Sequence, residues 1–218
     1  MPKKLTKSKT GFTIIEVVLV LAIAGLIFLM VFLALPALQR SQRDTQRRDD
    51  LARFAAQITN YQTNNRGKVP NTALANAGAV WVTTSEHADV TELIGVSTVQ
   101  TTGDWTNFLN NYMWAANDDF TDPGGTAYAV QDHGNLAKGC SEVKGLSAAT
   151  ASGDSISCDN ANNTVTFNIS SVDDIIHVFH GAICGTAEGT AEPSTSGGVR
   201  KLAFIYKLEG AGYYCGEV

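Results

Sequence analysis

Residues 11–38 read GFTIIEVVLVLAIAGLIFLMVFLALPAL, and this stretch decides the fold. From Val17 to Leu35 it holds 19 consecutive uncharged residues rich in Val, Leu, Ile and Phe. At about 1.5 Å of rise per residue, such a helix nearly spans a hydrocarbon layer about 30 Å thick. Lys3, Lys4, Lys7 and Lys9 precede it, a basic leader that an ordinary secretory signal would also carry. That alternative fits poorly. A signal's apolar region is shorter and ends in a small-x-small cleavage site, whereas Ala34-Leu35-Pro36-Ala37 offers no clean one. The segment reads as a membrane helix.

One acidic side chain, Glu16, sits at the front edge of the run. An ionised carboxylate inside a membrane helix costs about 3 kcal/mol on insertion scales, so it needs a partner or a place among the headgroups. A cut between Gly11 and Phe12 would create a free α-amine at Phe12, with Glu16 one helical turn beyond it. On adjacent, staggered copies that amine and carboxylate could neutralise one another where water is scarce. Glu16 would then set the register of an assembly.

The basic leader, Gly11, then Phe12-Thr13-Ile14-Ile15-Glu16-Val17-Val18 and the long apolar helix resemble the class III prepilin signature of type IV pilins and related pseudopilins. The resemblance implies that a prepilin peptidase cuts after Gly11 and methylates the new terminus at Phe12, and that Glu16 serves recruitment and register. It also implies a helical homopolymer with a core of apolar helices, built by an assembly platform and its ATPase. Its subunits would wait in the cytoplasmic membrane with the head outside, and end in an extracellular filament. Adhesion, twitching motility or DNA uptake would be its uses. Gly25 falls where many members have a glycine. Pro36 lies three residues past the usual helix-kinking proline, where this chain has Leu33, so the position of any kink is open. A minor pilin, a type II secretion pseudopilin and a membrane-anchored extracellular binding module are the alternatives. An enzyme is not expected, since the chain contains no G-x-S-x-G, P-loop or H-E-x-x-H.

Charge divides the chain in the same sense. The net charge of -5 hides a leader and helix at +7 (11 Lys/Arg against 4 Asp/Glu in residues 1–70) and a remainder at -12 (5 against 17). With 44% hydrophobic and 17% charged residues, 20 glycines and 5 prolines, a collagen, a disordered tail and a multi-domain enzyme are excluded. Gln39 to Asp50 contains no apolar side chain. Its i,i+4 pairs, Arg40 with Asp44 and Asp44 with Arg48, suit a solvated helix. Leu51, Phe54, Ile58 and Tyr61 then form an apolar stripe suited to covering a sheet. Asn64-Asn65-Arg66-Gly67-Lys68-Val69-Pro70 is a helix stop. The six arginines from Arg40 to Arg66 are expected to face acidic heads of neighbouring copies. Nucleic-acid contact through this chain alone is disfavoured, because no aromatic platform lies beside them.

The expected organisation is a leader at 1–11, a transmembrane or filament-core helix at 12–38, its amphipathic continuation at 39–66 and a globular head at 67–218. The fold class is α+β: a long N-terminal helix packed on a head with an antiparallel β-sheet. Within the head a short helix is expected over Thr106 to Ala116 with Asp104 as its cap. Strands are expected at Thr126–Val130, Thr164–Ile169, Ile175–Cys184, Val199–Leu208 and Tyr213–Cys215, the last two joined as a hairpin through Glu209-Gly210-Ala211-Gly212. Phe120 to Tyr128 faintly resembles the D-P-W-G-x-P-Y turn of major pseudopilins, without its tryptophan.

Cys140, Cys158, Cys184 and Cys215 all lie in the head. The positive-inside rule puts that head outside, where an even cysteine count reads as disulfides. Of three connectivities, 140–158 with 184–215 is preferred, since each pair is nearest in sequence and the second ties the terminal hairpin to the preceding strand. Zinc is disfavoured for lack of C-x-x-C spacing. No cofactor is expected; Ca²⁺ at Asn117, Asp118, Asp119 and Asp122 competes with simple turn chemistry. His177 and His180 fall on opposite faces of a strand and make poor joint ligands, and His87 and His133 read as loop residues.

Overall fold

The computed structural model describes residues 11–70, 80–81, 99–100, 103–114, 120–146, 155–169, 174–194, 198–210 and 212–218. One helix dominates it. α1 (Ile14–Asn64) runs for 51 residues, helped by a segment whose only glycine is Gly25 and whose only proline is Pro36, through which the helix continues. It starts where the Thr13 carbonyl accepts the amides of Glu16 and Val17. It stops as the sequence requires: Arg66 and Gly67 adopt positive φ, and the Gly67 amide donates 2.7 Å back to the Gln62 carbonyl. The chain divides into two compact units, one ending at Gln42 and one running from Arg43 to Val218.

The second unit is α+β. β1 (Val80–Trp81), β2 (Val99–Gln100), β3 (Ala129–Asn135), β6 (Ile175–His180), β9 (Leu202–Lys207) and β10 (Tyr213–Glu217) form one sheet in the order β10-β9-β6-β3-β1-β2. β4 (Ser155–Asp159), β5 (Thr164–Asn168), β7 (Ala182–Cys184) and β8 (Thr190–Pro193) form a second, in the order β4-β5-β8-β7. Pairing is mostly antiparallel, but β3 lies parallel to β6, and β1 to β2. β9 and β10 make the expected hairpin, with Lys207 opposite Tyr213.

Period-two alternation gives the large sheet two cores. Ile176, Val178, Leu202, Phe204 and Tyr206 face Leu51, Phe54 and Ile58 of α1, together with Trp105 and Phe108. α2 (Asp104–Phe108), which carries that last pair, runs into a π-helical turn at Leu109–Trp114. Phe54 is fully buried amid Trp105, Phe108, Phe120 and Phe204, with ring centroids 5.3–6.3 Å away. The interleaved residues Phe179, Ala203 and Ile205 face the second sheet, packing with Ile156, Val165 and Phe167. The apolar stripe on α1 therefore does what its spacing predicts.

Several local expectations change. The run 175–184 is two strands in two sheets, because Gly181 at φ 62 turns the chain between them. A Cβ there would sit 2.6 Å from Ala137 Cβ and 2.8 Å from Asn135 Oδ1. Gly181→Ala is therefore expected to cost about 1–3 kcal/mol through left-handed backbone strain and overpacking, read as a lowered urea midpoint; an unchanged midpoint would refute that cost. β3 begins three residues later than expected, after the loop in which Thr121 bridges Ala127. β4 and β8 were not expected; each is short, and β4 shows no clean apolar alternation. Gly103, not Asp104, holds the cap position of α2, and no side chain caps it.

Candidate functional site

Gly11 precedes α1 with open space around its Cα, and Phe12 is 84% exposed. Glu16 sits in the first helical turn, where a carboxylate also meets the positive end of the helix dipole. Phe12 and Glu16, one turn apart, line one shallow groove with Val17, Val20 and Leu21. Every large apolar side chain from Phe12 to Leu38 is exposed. Because residues 17–21 and 26–33 are unbroken apolar runs apart from small residues, they cover the helix on all sides rather than along one stripe. The helix is long and apolar enough to cross a membrane. Water is a poor environment for such a surface: its lowest-energy surroundings are lipid tails or other apolar helices.

The polar continuation of α1 is solvated on one side only. Asp44 and Arg47 are buried, 6% and 4% exposed. The Arg47 guanidinium grips both oxygens of Asp122, the Nη2–Oδ1 arm at 3.0 Å, and donates to Asp44 Oδ1 at 3.0 Å and Glu209 Oε2 at 3.2 Å. Arg43 donates through Nε and Nη2 to the same Glu209 carboxylate. Asp44 in turn accepts the backbone amides of Glu209 and Gly210 at 2.9 and 2.7 Å. Asp44 Oδ2 comes so close that a Cβ at position 210 would sit 2.7 Å from it. Arg43 and Arg47 thus find their carboxylates within their own unit, which corrects the expectation that they reach neighbouring copies. Burial pulls the Arg47 pKa down, but hydrogen bonds to Asp122 and Asp44 outweigh it and the net shift is upward. The group stays charged. The Arg43 hydrogen bond holds the Glu209 carboxyl down to about 2.

Asp122 is spoken for in the same way. It accepts from Arg47, from the Tyr206 hydroxyl at 3.2 Å and from the Gly124 amide at 2.7 Å, closing its own turn. That accounts for it without calcium; Asn117, Asp118 and Asp119 lie outside the described residues, as does His87. Among the described residues no group of three or more metal-ligating side chains converges. The disulfides pair Cys140 with Cys158 and Cys184 with Cys215, with Cα separations of 5.8 and 5.9 Å. The second links β7 to β10 and so ties the small sheet to the edge of the large one. His177 and His180 do face opposite ways, His177 toward His133 and His180 toward Asp132. His133 is a fully buried residue of β3, not a loop residue.

No protein-family model, curated protein or solved structure matches this chain. Its function has to be argued from the two features above: an uncovered apolar segment that begins at Phe12 and carries one carboxylate, and a disulfide-closed unit locked to the later turns of the same helix by buried ions.

Proposed function

We propose that the chain is a structural subunit of a type IV pilus filament. Gly11 is the cleavage residue, Phe12 the methylated terminus and Glu16 the carboxylate that pairs with the terminus of a neighbouring copy. The observation that carries this reading is the helix surface from Phe12 to Leu38, apolar on every side and exposed throughout. A membrane span alone would satisfy that surface and leave Glu16 among the headgroups, but it gives the carboxylate no partner in the groove it shares with Phe12. A bundle of like helices does, since extraction from lipid replaces lipid contacts by protein contacts and offers Glu16 a cation. Two disulfides suit a head on the oxidising side of the membrane.

Mass spectrometry of the mature chain tests it. A chain beginning at N-methylated Phe12 is expected; an intact Met1 rejects a pilin-like subunit and leaves the membrane-anchored binding module, and a cut beyond Pro36 rejects both, because it removes the apolar helix. Abundance in purified filaments then separates a major subunit from a minor pilin or a secretion pseudopilin.

A further inference from the structure

His133 is the pin of the interface between the two sheets. Its Nδ1 lies 2.7 Å from the Lys144 carbonyl, which can only accept, so Nδ1 carries the proton. Its Nε2, left with a lone pair, lies 3.0 Å from His177 Nδ1 and therefore accepts from it. The Lys144 amide returns 2.8 Å to the His133 carbonyl, and Gly134 bridges Val143 beside it. Segment 140–144 is itself closed onto β4 by the Cys140–Cys158 disulfide. One imidazole thus holds β3 to β6 and to the loop that the second sheet carries.

We propose that the His133–His177 pair is an acid-sensitive clasp, and that protonating His133 releases the disulfide-closed loop from β3. A second proton on this ring can go only to Nε2, where it faces the N–H of His177; the bond between them then survives only if His177 moves its own proton to Nε2. Among the described residues, the groups packed against the ring are mostly apolar or already paired. Phe179 stacks on it at 4.6 Å and Phe167 of β5 meets it edge-on. The Lys144 ammonium donates to the Ser141 carbonyl. The carboxylate acting on it is Asp132, the preceding residue of β3, whose oxygens accept from Trp105, His180 and the Gly134 amide. Burial, and then the neighbouring His177, hold His133 down to about 3.

The sign of the effect follows. An open state takes up a proton near the ordinary value of 6.5 that the closed state refuses until about 3. The clasp is therefore intact above about 6.5 and weakens as the pH falls toward 3. His180 works in the opposite direction. Burial lowers it, but Asp132 outweighs burial and the net shift is upward, so its contribution is kept in acid and lost on raising the pH. Glu209 and Asp132, both held below their ordinary values of 4.5 and 3.8, weaken only below those values; acid weakening at Lys144 between about 6.5 and 4.5 thus belongs to His133, independently of the filament reading.

Amide hydrogen exchange on the full chain in detergent tests this. Between pH 7 and about pH 4.5, Lys144 protection, corrected for the intrinsic rate, should fall by up to about a hundredfold, the protonation of an open state with the ordinary value of 6.5 at that final pH. Phe204 and Ile205 in β9 should keep theirs. In His133→Gln, which can still donate to Lys144 but cannot titrate, the fall should vanish. Constant Lys144 protection in the wild type, or an equal fall in His133→Gln, overturns the proposal. Should that variant not fold, imidazole ¹⁵N signals of the wild type decide. Followed down to about pH 3, loss of the native Lys144 amide shift together with His133 protonation supports the clasp, and a native Lys144 shift in the form with His133 protonated overturns it.

Discussion

Arg47→Ala is expected to destabilise the protein by about 3–5 kcal/mol, the usual consequence of removing one partner from a buried ion pair. Total stabilities of about 5–15 kcal/mol make this one of the largest single losses available to the chain. Without the guanidinium, Asp122 and Asp44 remain buried with a negative charge each and only neutral hydrogen-bond donors beside them. Arg47→Lys should recover only part of the loss, since an ammonium cannot make the two-armed contact with Asp122. Arg47→Met combined with Asp122→Leu should be milder than Arg47→Met alone, because the double change leaves fewer uncompensated charges. Glu209→Gln should cost less than about 1 kcal/mol, its side chain being 28% exposed. Urea unfolding of the full chain in detergent measures all five variants. A loss below about 1 kcal/mol in Arg47→Ala would show that Asp44 and Asp122 are hydrated in solution, and the joint would then be an ornament of the fold.

The second large effect concerns assembly. Under the proposed filament function, Glu16→Ala should still insert in the membrane yet reduce filament number by about tenfold or more. The two halves of this expectation pull against each other, which makes it informative. Removing a carboxylate from an apolar helix makes insertion easier, by about 3 kcal/mol at the bilayer centre and less near the headgroups. Lost filaments therefore cannot be blamed on failed insertion. Glu16→Gln keeps the size and loses the charge, so it should resemble Glu16→Ala if neutralisation of a neighbour's amine is what matters. Membrane fractionation measures insertion and electron microscopy counts filaments. Normal filaments in Glu16→Ala would remove the register role.

The joint at Arg47 was partly legible in advance. The apolar stripe of α1 runs Leu51, Phe54, Ile58 and, extended backward by the same steps of three and four, lands on Arg47 and Asp44. Charged residues at two core-facing positions are a sign of buried ions, but helix-local reasoning paired Asp44 with Arg40 and Arg48 instead. The partners that matter were out of reach of any local rule, since Asp122 is 75 residues from Arg47 and the Glu209 amide 165 from Asp44. His133 failed for the same reason. As one histidine between polar residues it reads as a loop, and its burial is decided by β5, β6 and the loop at Lys144. Gly181 was readable only in hindsight: an isolated glycine inside an apolar run can mark a bulge, a bend or nothing.

By itself the sequence determined the long helix and its stop, the membrane-compatible surface from Phe12 to Leu38 and the helical stripe that covers a sheet. These depend on composition and on periods of two or 3.6 residues, which are properties of short segments. Tertiary structure alone decided which cysteines pair, that Asp44 and Arg47 on the polar turns after Gln42 are buried, that residues 175–184 divide between two sheets, and that two histidines meet 44 positions apart. Burial of a charge or a neutral imidazole is favourable only when distant groups arrive to satisfy it, and which groups arrive is set by the packed fold.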